Sequence, residues 1–203
     1  MPHQYELGVI HGRFQVLHLD HLKYLLDGKA RCEHLVTGVT NPDPSLTRKD
    51  AADVKRSDPI NNPLTYYERY WLVRAALTGA GLSHDAFSVT PLPINAPELY
   101  QYYVPMDAVF FVSVYDDWGR RKRDMFRDLG LKVVTLREVT PDQKGLSASD
   151  VRRAMALGEP WKHLVPEATI PLLEKWDVSG RMRSILAESE AFSIDAEDGC
   201  VEK

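Results

Sequence analysis

The sequence predicts a doubly wound α/β fold, a five-stranded parallel sheet with a short helical C-terminal extension. Three observations carry this. Short apolar runs alternate with longer stretches of helical periodicity, the pattern of right-handed crossovers in a parallel sheet with helices on both faces. A glycine-bearing turn joins the first run to the first helical stretch, where such sheets place ligands. The chain has 203 residues, 44% of them hydrophobic, enough for one sizeable core.

Leu7–Ile10 is the first predicted strand, and the turn HGRFQVLHLDH (residues 11–21) leads into a helix over Leu19–Arg31. His34–Val39 is the second strand. The connection 41–62 holds Pro42, Pro44 and Pro59 beside Arg48, Lys49, Lys55 and Arg56, and reads as a solvated surface loop or as a lid supplying phosphate contacts. Thr65-Tyr66-Tyr67-Glu68 fits a capping box opening a helix over Tyr66–Ala80. Further strands are Ala86–Thr90, Ala108–Ser113 and Lys132–Leu136. The helix Asp117–Leu129 carries Arg120-Arg121-Lys122-Arg123, read as a solvated face. Trp71, Trp161 and Trp176 lie on helical patterns and read as core or helix-packing residues.

After the fifth strand, Ser147-Ala148-Ser149-Asp150 starts a helix that carries Arg152 and Arg153 and ends at Gly158. Pro160 is placed to open another helix, followed by a break near Pro166 and a helix through Trp176. The domain therefore spans residues 1–187, with 145–187 as its helical part. Residues 188–203, acidic and small, read as a flexible tail.

A net charge of −4 and a pI near 6.0 argue against a general nucleic-acid binder, though not against small anionic substrates. Two cysteines, Cys32 and Cys200, cannot build a disulfide framework. The N-terminus lacks a signal-peptide apolar core, and no run approaches the ~18 apolar residues of a membrane span. The expectation is a soluble cytoplasmic protein with neither nucleic-acid nor membrane partners.

Two clusters carry chemistry. Arg13, His18 and His21 gather where the first turn becomes a helix, whose N-terminus already attracts anions through its N–H groups and dipole. His18 and His21, three residues apart, share a face. Zinc would need a third ligand, with only His11 near; acid–base catalysis is open to any histidine near neutrality. Stabilising charge on a phosphate chain fits best, because Arg13 and the helix terminus favour the same chemistry. Ser147, Ser149, Arg152 and Arg153 form the second cluster at a late helix start. Both clusters can converge on the carboxyl edge of the sheet and hold a polyphosphate at both ends.

Together, G-R-F-Q-x-x-H-x-x-H and S-x-S-x-x-R-R resemble the nucleotidyltransferase superfamily marked by H-x-G-H and S-x-T-x-x-R motifs. Within it, the match is to the archaeal-type nicotinamide-nucleotide adenylyltransferases. Asn62-Pro63-Leu64-Thr65 with Glu68-Arg69 is similar to their N-P-F-T-x-x-E-R, and residues 158–168 to their G-x-x-W-x-x-L-V-P-x-A. The resemblance implies a Rossmann-like nucleotidyltransferase fold and AMP transfer from ATP to nicotinamide or nicotinate mononucleotide, with release of pyrophosphate. It implies catalytic roles for His18, His21, Arg13 and Arg152, and nucleotide contacts from Gly12, Phe14, Gln15, Ser147, Ser149 and Arg153. It further implies Mg²⁺ accompanying ATP, no protein-held metal, small-molecule nucleotide substrates and a homo-oligomer.

The sequence departs from the family pattern at several places. Asp20 replaces the glycine between the histidines and Val16 the proline after Gln15. In the acceptor region Pro97 and Tyr100 replace an asparagine and a tryptophan, and Val112–Asp117 replaces the usual S-G-N. Acceptor contacts are therefore expected from Asn95, Tyr100 (stacking on a flat ring), Asp116 and Asp117. The alternatives are cytidylyl transfer to a phosphorylated alcohol such as phosphocholine, held by these acids and Tyr100–Tyr103, and a nucleotide-binding sensor of reduced activity.

Overall fold

In the computed structural model, residues 3–43, 59–140, 143 and 145–198 are described. Five parallel strands, β1 (Tyr5–Gly12), β2 (Cys32–Thr40), β3 (Phe87–Leu92), β4 (Val109–Val114) and β5 (Lys132–Glu138), form one sheet in the order β3-β2-β1-β4-β5. The order reverses at β1, which pairs with β2 on one side and β4 on the other. A crevice therefore opens at the carboxyl ends of β1 and β4, the switch point where ligands bind in such sheets.

Alternation along the strands fills both faces. Ile10, Leu35 and Phe111 enter one core with Leu25 of α1 (Leu19–Lys29), Leu72 and Leu77 of α2 (Tyr66–Gly79) and Met155 of α4 (Ala148–Leu157). Their strand neighbours Val9, Val36 and Phe110 enter the other, against Phe126 of α3 (Asp117–Asp128). The five predicted strands and the helices at 19, 66, 117 and 148 all form, with small differences at their ends.

The C-terminal part differs. Pro160 opens no α-helix: the chain makes only a short 3-10 turn at Lys162–Leu164 and a second at Glu167–Thr169 before α5 (Ile170–Lys175). Two prolines within a few residues each remove a backbone donor, which leaves too little uninterrupted chain for a helix. In contrast, α6 (Val178–Asp198) continues well past Ala187, where a tail was expected. Residues 188–198 contain neither glycine nor proline and include two Ala and three Glu, so local propensity supports the helix despite its acidity. Trp71 is 39% exposed, edge-on to Tyr67 and Tyr70, rather than a core residue. The reading of the 41–62 connection as loop or lid falls mostly on residues 44–58, outside the described residues.

Candidate active site

A cavity of about 300 Å³ lies over the switch point, bounded by the β1–α1 turn, the ends of β2 and β4, and the starts of α3 and α4. The turn is tight: Phe14 adopts a positive φ of 53°, rare for a residue with a side chain, and buries its ring completely. That ring stands under Gly12, where a Cβ would come within 2.8 Å of it. Gly12 thus makes room for Phe14, and it also lines the cavity.

His18 is the N-cap of α1 and His21 its third residue. The His21 N–H donates to His18 Nδ1 and the His18 N–H to His21 Nδ1, both at 3.4 Å. The two imidazoles stack with centroids 3.7 Å apart, and Phe14 braces His21 edge-on at 5.2 Å. A backbone N–H can only donate to an unprotonated Nδ1, so with these bonds in place Nε2 is the nitrogen that can carry a proton. Both residues line the cavity with Arg13, as their spacing predicts.

Ser147 caps α4 through a reciprocal box with Asp150, and Ser147 and Ser149 line the same cavity. The two clusters predicted from distant parts of the chain therefore meet. Asp20 joins them: its Oδ2 accepts the Leu146 N–H at 2.8 Å, and Gly145 (φ +81°) leaves no space for a Cβ beside that carboxylate. The residue at the family glycine's position thus ties the first motif to the second.

Two further expected contacts, Gln15 and Arg152, line the cavity and also bind the protein itself. Both ends of the Gln15 amide are engaged by the Leu64 backbone, at 2.8 and 2.9 Å. Arg152, 5% exposed, lines the cavity but donates to Gln15 O, to Asn61 Oδ1 at 2.6 Å and to Ser149 Oγ at 3.0 Å. Burial, aided by the charge of Arg13, brings its pKa down to about 10. Arg153 is exposed and borders a separate groove with Leu157 and Met182, so it does not reach this cavity.

On the acceptor side, Asn95 and Asp116 line the cavity. Asp116 also caps α3, accepting the Gly119 N–H at 2.8 Å. Tyr100 corrects its expected role. It is fully buried among the residues of the second core, and its hydroxyl donates to Ile94 O at 2.7 Å, so no ring can stack on it. Asp117 is exposed and paired with Arg120, outside the cavity. Tyr102 and Tyr103 also lie outside it, which removes the expected cage for a quaternary ammonium.

Sequence reasoning assigned no role to Arg69. Only 2% exposed, it donates to the carbonyls of Arg13, Thr40, Asn41 and Thr65 at 2.7–3.2 Å, tying the ends of β1 and β2 to α2. Burial and the neighbouring Arg13 lower its pKa to about 10. Its place in an N-P-x-T-x-x-E-R motif was the available signal. Lys122 and His11 also line the cavity, although the basic run that holds Lys122 has the sequence pattern of a solvated face. Among the described residues no group of three or more His, Cys, Asp or Glu could hold a metal ion, and no helix is long and apolar enough to cross a membrane.

This crevice sets stacked histidines at one helix start against a serine-capped helix start, and so brings together the two motifs that carry the resemblance to nucleotidyltransferases. The chain is 48% identical over 177 residues to a phosphonoformate cytidylyltransferase of Streptomyces viridochromogenes, covering 87% of this chain and 95% of that one. It is 30% identical over 176 residues to a nicotinamide-nucleotide adenylyltransferase of Methanolobus tindarius, covering 86% and 91%. The fold superposes on a bifunctional NMN adenylyltransferase/ADP ribose pyrophosphatase of Francisella tularensis with a TM-score of 0.67 at 16% identity, covering 96% of this chain but 56% of that one. For the form of that protein complexed with AMP and Mn ion the TM-score is 0.58. No protein-family model matches the sequence. By these relationships the chain belongs to the nucleotidyltransferases, and it is an enzyme of that class.

Proposed function

We propose that this enzyme transfers a nucleoside monophosphate from a nucleoside triphosphate to a phosphate- or phosphonate-bearing acceptor. An acceptor oxygen, already anionic, attacks the α-phosphorus; the bond to the bridging oxygen breaks and pyrophosphate leaves with the electron pair. No protein nucleophile is required, so catalysis consists of alignment and charge neutralisation. The observation that carries this reading is the stacked pair of histidines whose Nδ1 atoms are occupied by backbone N–H groups. Their Nε2–H groups, with Arg13, supply donors to the triphosphate, and Ser147 and Ser149 supply hydroxyls from the opposite wall. Mg²⁺ enters with the triphosphate as part of the substrate, held by phosphate oxygens.

Two versions differ in donor and acceptor. Adenylyl transfer from ATP to nicotinamide or nicotinate mononucleotide is supported by the archaeal relatives and the shared motifs. Cytidylyl transfer to a small phosphonate is supported by the 48% identical relative. Pyrophosphate release measured with ATP plus nicotinamide mononucleotide and with CTP plus phosphonoformate separates them. Release with one pair selects that version; nucleotide binding without release from either pair, or from phosphocholine, would leave a sensor. The resemblance also supports a homo-oligomer, and the sequence composition supports a cytoplasmic location; light scattering and cell fractionation test them.

A further inference from the structure

The cavity has a second wall, across the strand-order switch from the histidine pair. It is formed by His11 on β1, Ser113 and Tyr115 at the end of β4, and Trp118 and Lys122 on α3. His11 is the unusual member. Its side chain is 5% exposed, and among the described residues neither ring nitrogen has a hydrogen-bond partner. Phe126 holds the ring edge-on at 5.2 Å. A buried imidazole with both nitrogens unsatisfied destabilises the fold, and an apolar side chain would fill this strand position without that cost. Burial first, then the charge of Lys122, keeps the His11 pKa well below its ordinary 6.5, so the ring is neutral with one N–H donor. Asp116, the acid on this wall, has one oxygen engaged by the Gly119 N–H.

We propose that His11 and Lys122 form the acceptor subsite and that their ligand is a compact oxyanion, the phosphonate or phosphate group of the acceptor. The inference rests on the nucleotidyl-transfer reading. The neutral imidazole gives one directional hydrogen bond, and the Lys122 ammonium gives the charge that a multiply anionic acceptor needs. Held between them, the group keeps another oxygen turned toward the α-phosphorus on the histidine-pair side. The anion thus satisfies the buried His11 nitrogen that the protein leaves without a partner.

The test is calorimetric titration with phosphonoformate, and separately with nicotinamide mononucleotide, after the donor side has been filled with the α,β-methylene analogue of CTP or ATP. His11→Val and Lys122→Met should each weaken binding of the accepted probe by about tenfold or more, the loss of one charge-assisted contact. Affinity for the donor analogue should stay within about twofold of wild type, within the scatter of a distant substitution. His11→Gln, which keeps a polar side chain of similar reach, should lose less than His11→Val. Dependence with phosphonoformate identifies a phosphonate acceptor, and with the mononucleotide a phosphate ester. Equal binding in all variants, parallel loss of the donor analogue, or no binding of either probe to wild type would overturn the subsite. Pyrophosphate release is followed in parallel. Release that ignores both substitutions removes the subsite alone, and His11-dependent binding without release removes the transfer reading alone.

Discussion

Each histidine of the stacked pair uses its Nδ1 to cap α1, and in the proposed reaction its Nε2 meets the triphosphate. That division makes their loss asymmetric between binding and turnover, because the charge they meet grows in the transition state. His21→Ala is expected to lower kcat by about 30- to 1,000-fold, equivalent to about 2–4 kcal/mol from one lost electrostatic donor. KM for the triphosphate should move far less. Steady-state pyrophosphate release checks this, and unchanged kcat would remove the role. Asp20 makes a second prediction. Its carboxylate accepts the Leu146 N–H across a sequence separation of 126 residues. Asp20→Gly should destabilise the fold by about 1.5–3 kcal/mol, the range for a hydrogen bond to a charged group, read as a lower urea midpoint with unchanged slope. His18, His21 and Arg13 were legible because their chemistry is local to one turn. The direction of Asp20 and the burial of Tyr100 depend on distant chain, which no spacing rule reports.

The strands and the first four helices were readable at the level of elements because period and caps are properties of short segments. The joints between elements were not. The N-terminal end of α6 is fixed to α2 by Arg181, which grips both Glu68 carboxylate oxygens at 2.8 and 2.9 Å and donates to Pro63 O at 2.9 Å. Burial alone would raise the Glu68 pKa, but the bonds from Arg181 and from Thr65 outweigh it and hold the value below the ordinary 4.5. A carboxylate with a depressed folded-state pKa stabilises the fold fully above its unfolded value. That contribution is lost as pH falls through the lower, folded one. Because Arg181 is one-third exposed, solvent screening moderates the interaction, and Arg181→Met should cost about 1–3 kcal/mol near neutrality. The difference between variant and wild type should begin to shrink as pH falls through 4.5, where Glu68 protonates in the unfolded chain, and should vanish only below the lower value that it keeps in the folded wild type. Denaturation curves at pH 7 and pH 3.5 would show it, and a difference independent of pH would refute the ion pair's part.

Across the whole molecule, the site is assembled from segments that meet only in the folded chain. Asp20 ties the first motif to the turn before α4, Gln15 ties it to Leu64, Arg152 returns from α4 to the Gln15 carbonyl, and Arg69 gathers the ends of β1 and β2. In the proposed reaction a triphosphate spans the α1 and α4 starts and adds one more tie between the same parts, only in the folded state. Binding must therefore raise stability by linkage. At a free ligand concentration near 100 times Kd the gain is about 2.7 kcal/mol. For a chain of this size that corresponds to roughly 5–10 °C in Tm. The shift should be largest with the triphosphate and Mg²⁺, smaller with the triphosphate after chelation, and smallest with the nucleoside, which cannot bridge the two helix starts. His18→Ala combined with Ser147→Ala should remove most of the difference between triphosphate and nucleoside. Scanning fluorimetry across these conditions measures it. Equal shifts from nucleoside and triphosphate would mean that the phosphates are not what the two clusters hold.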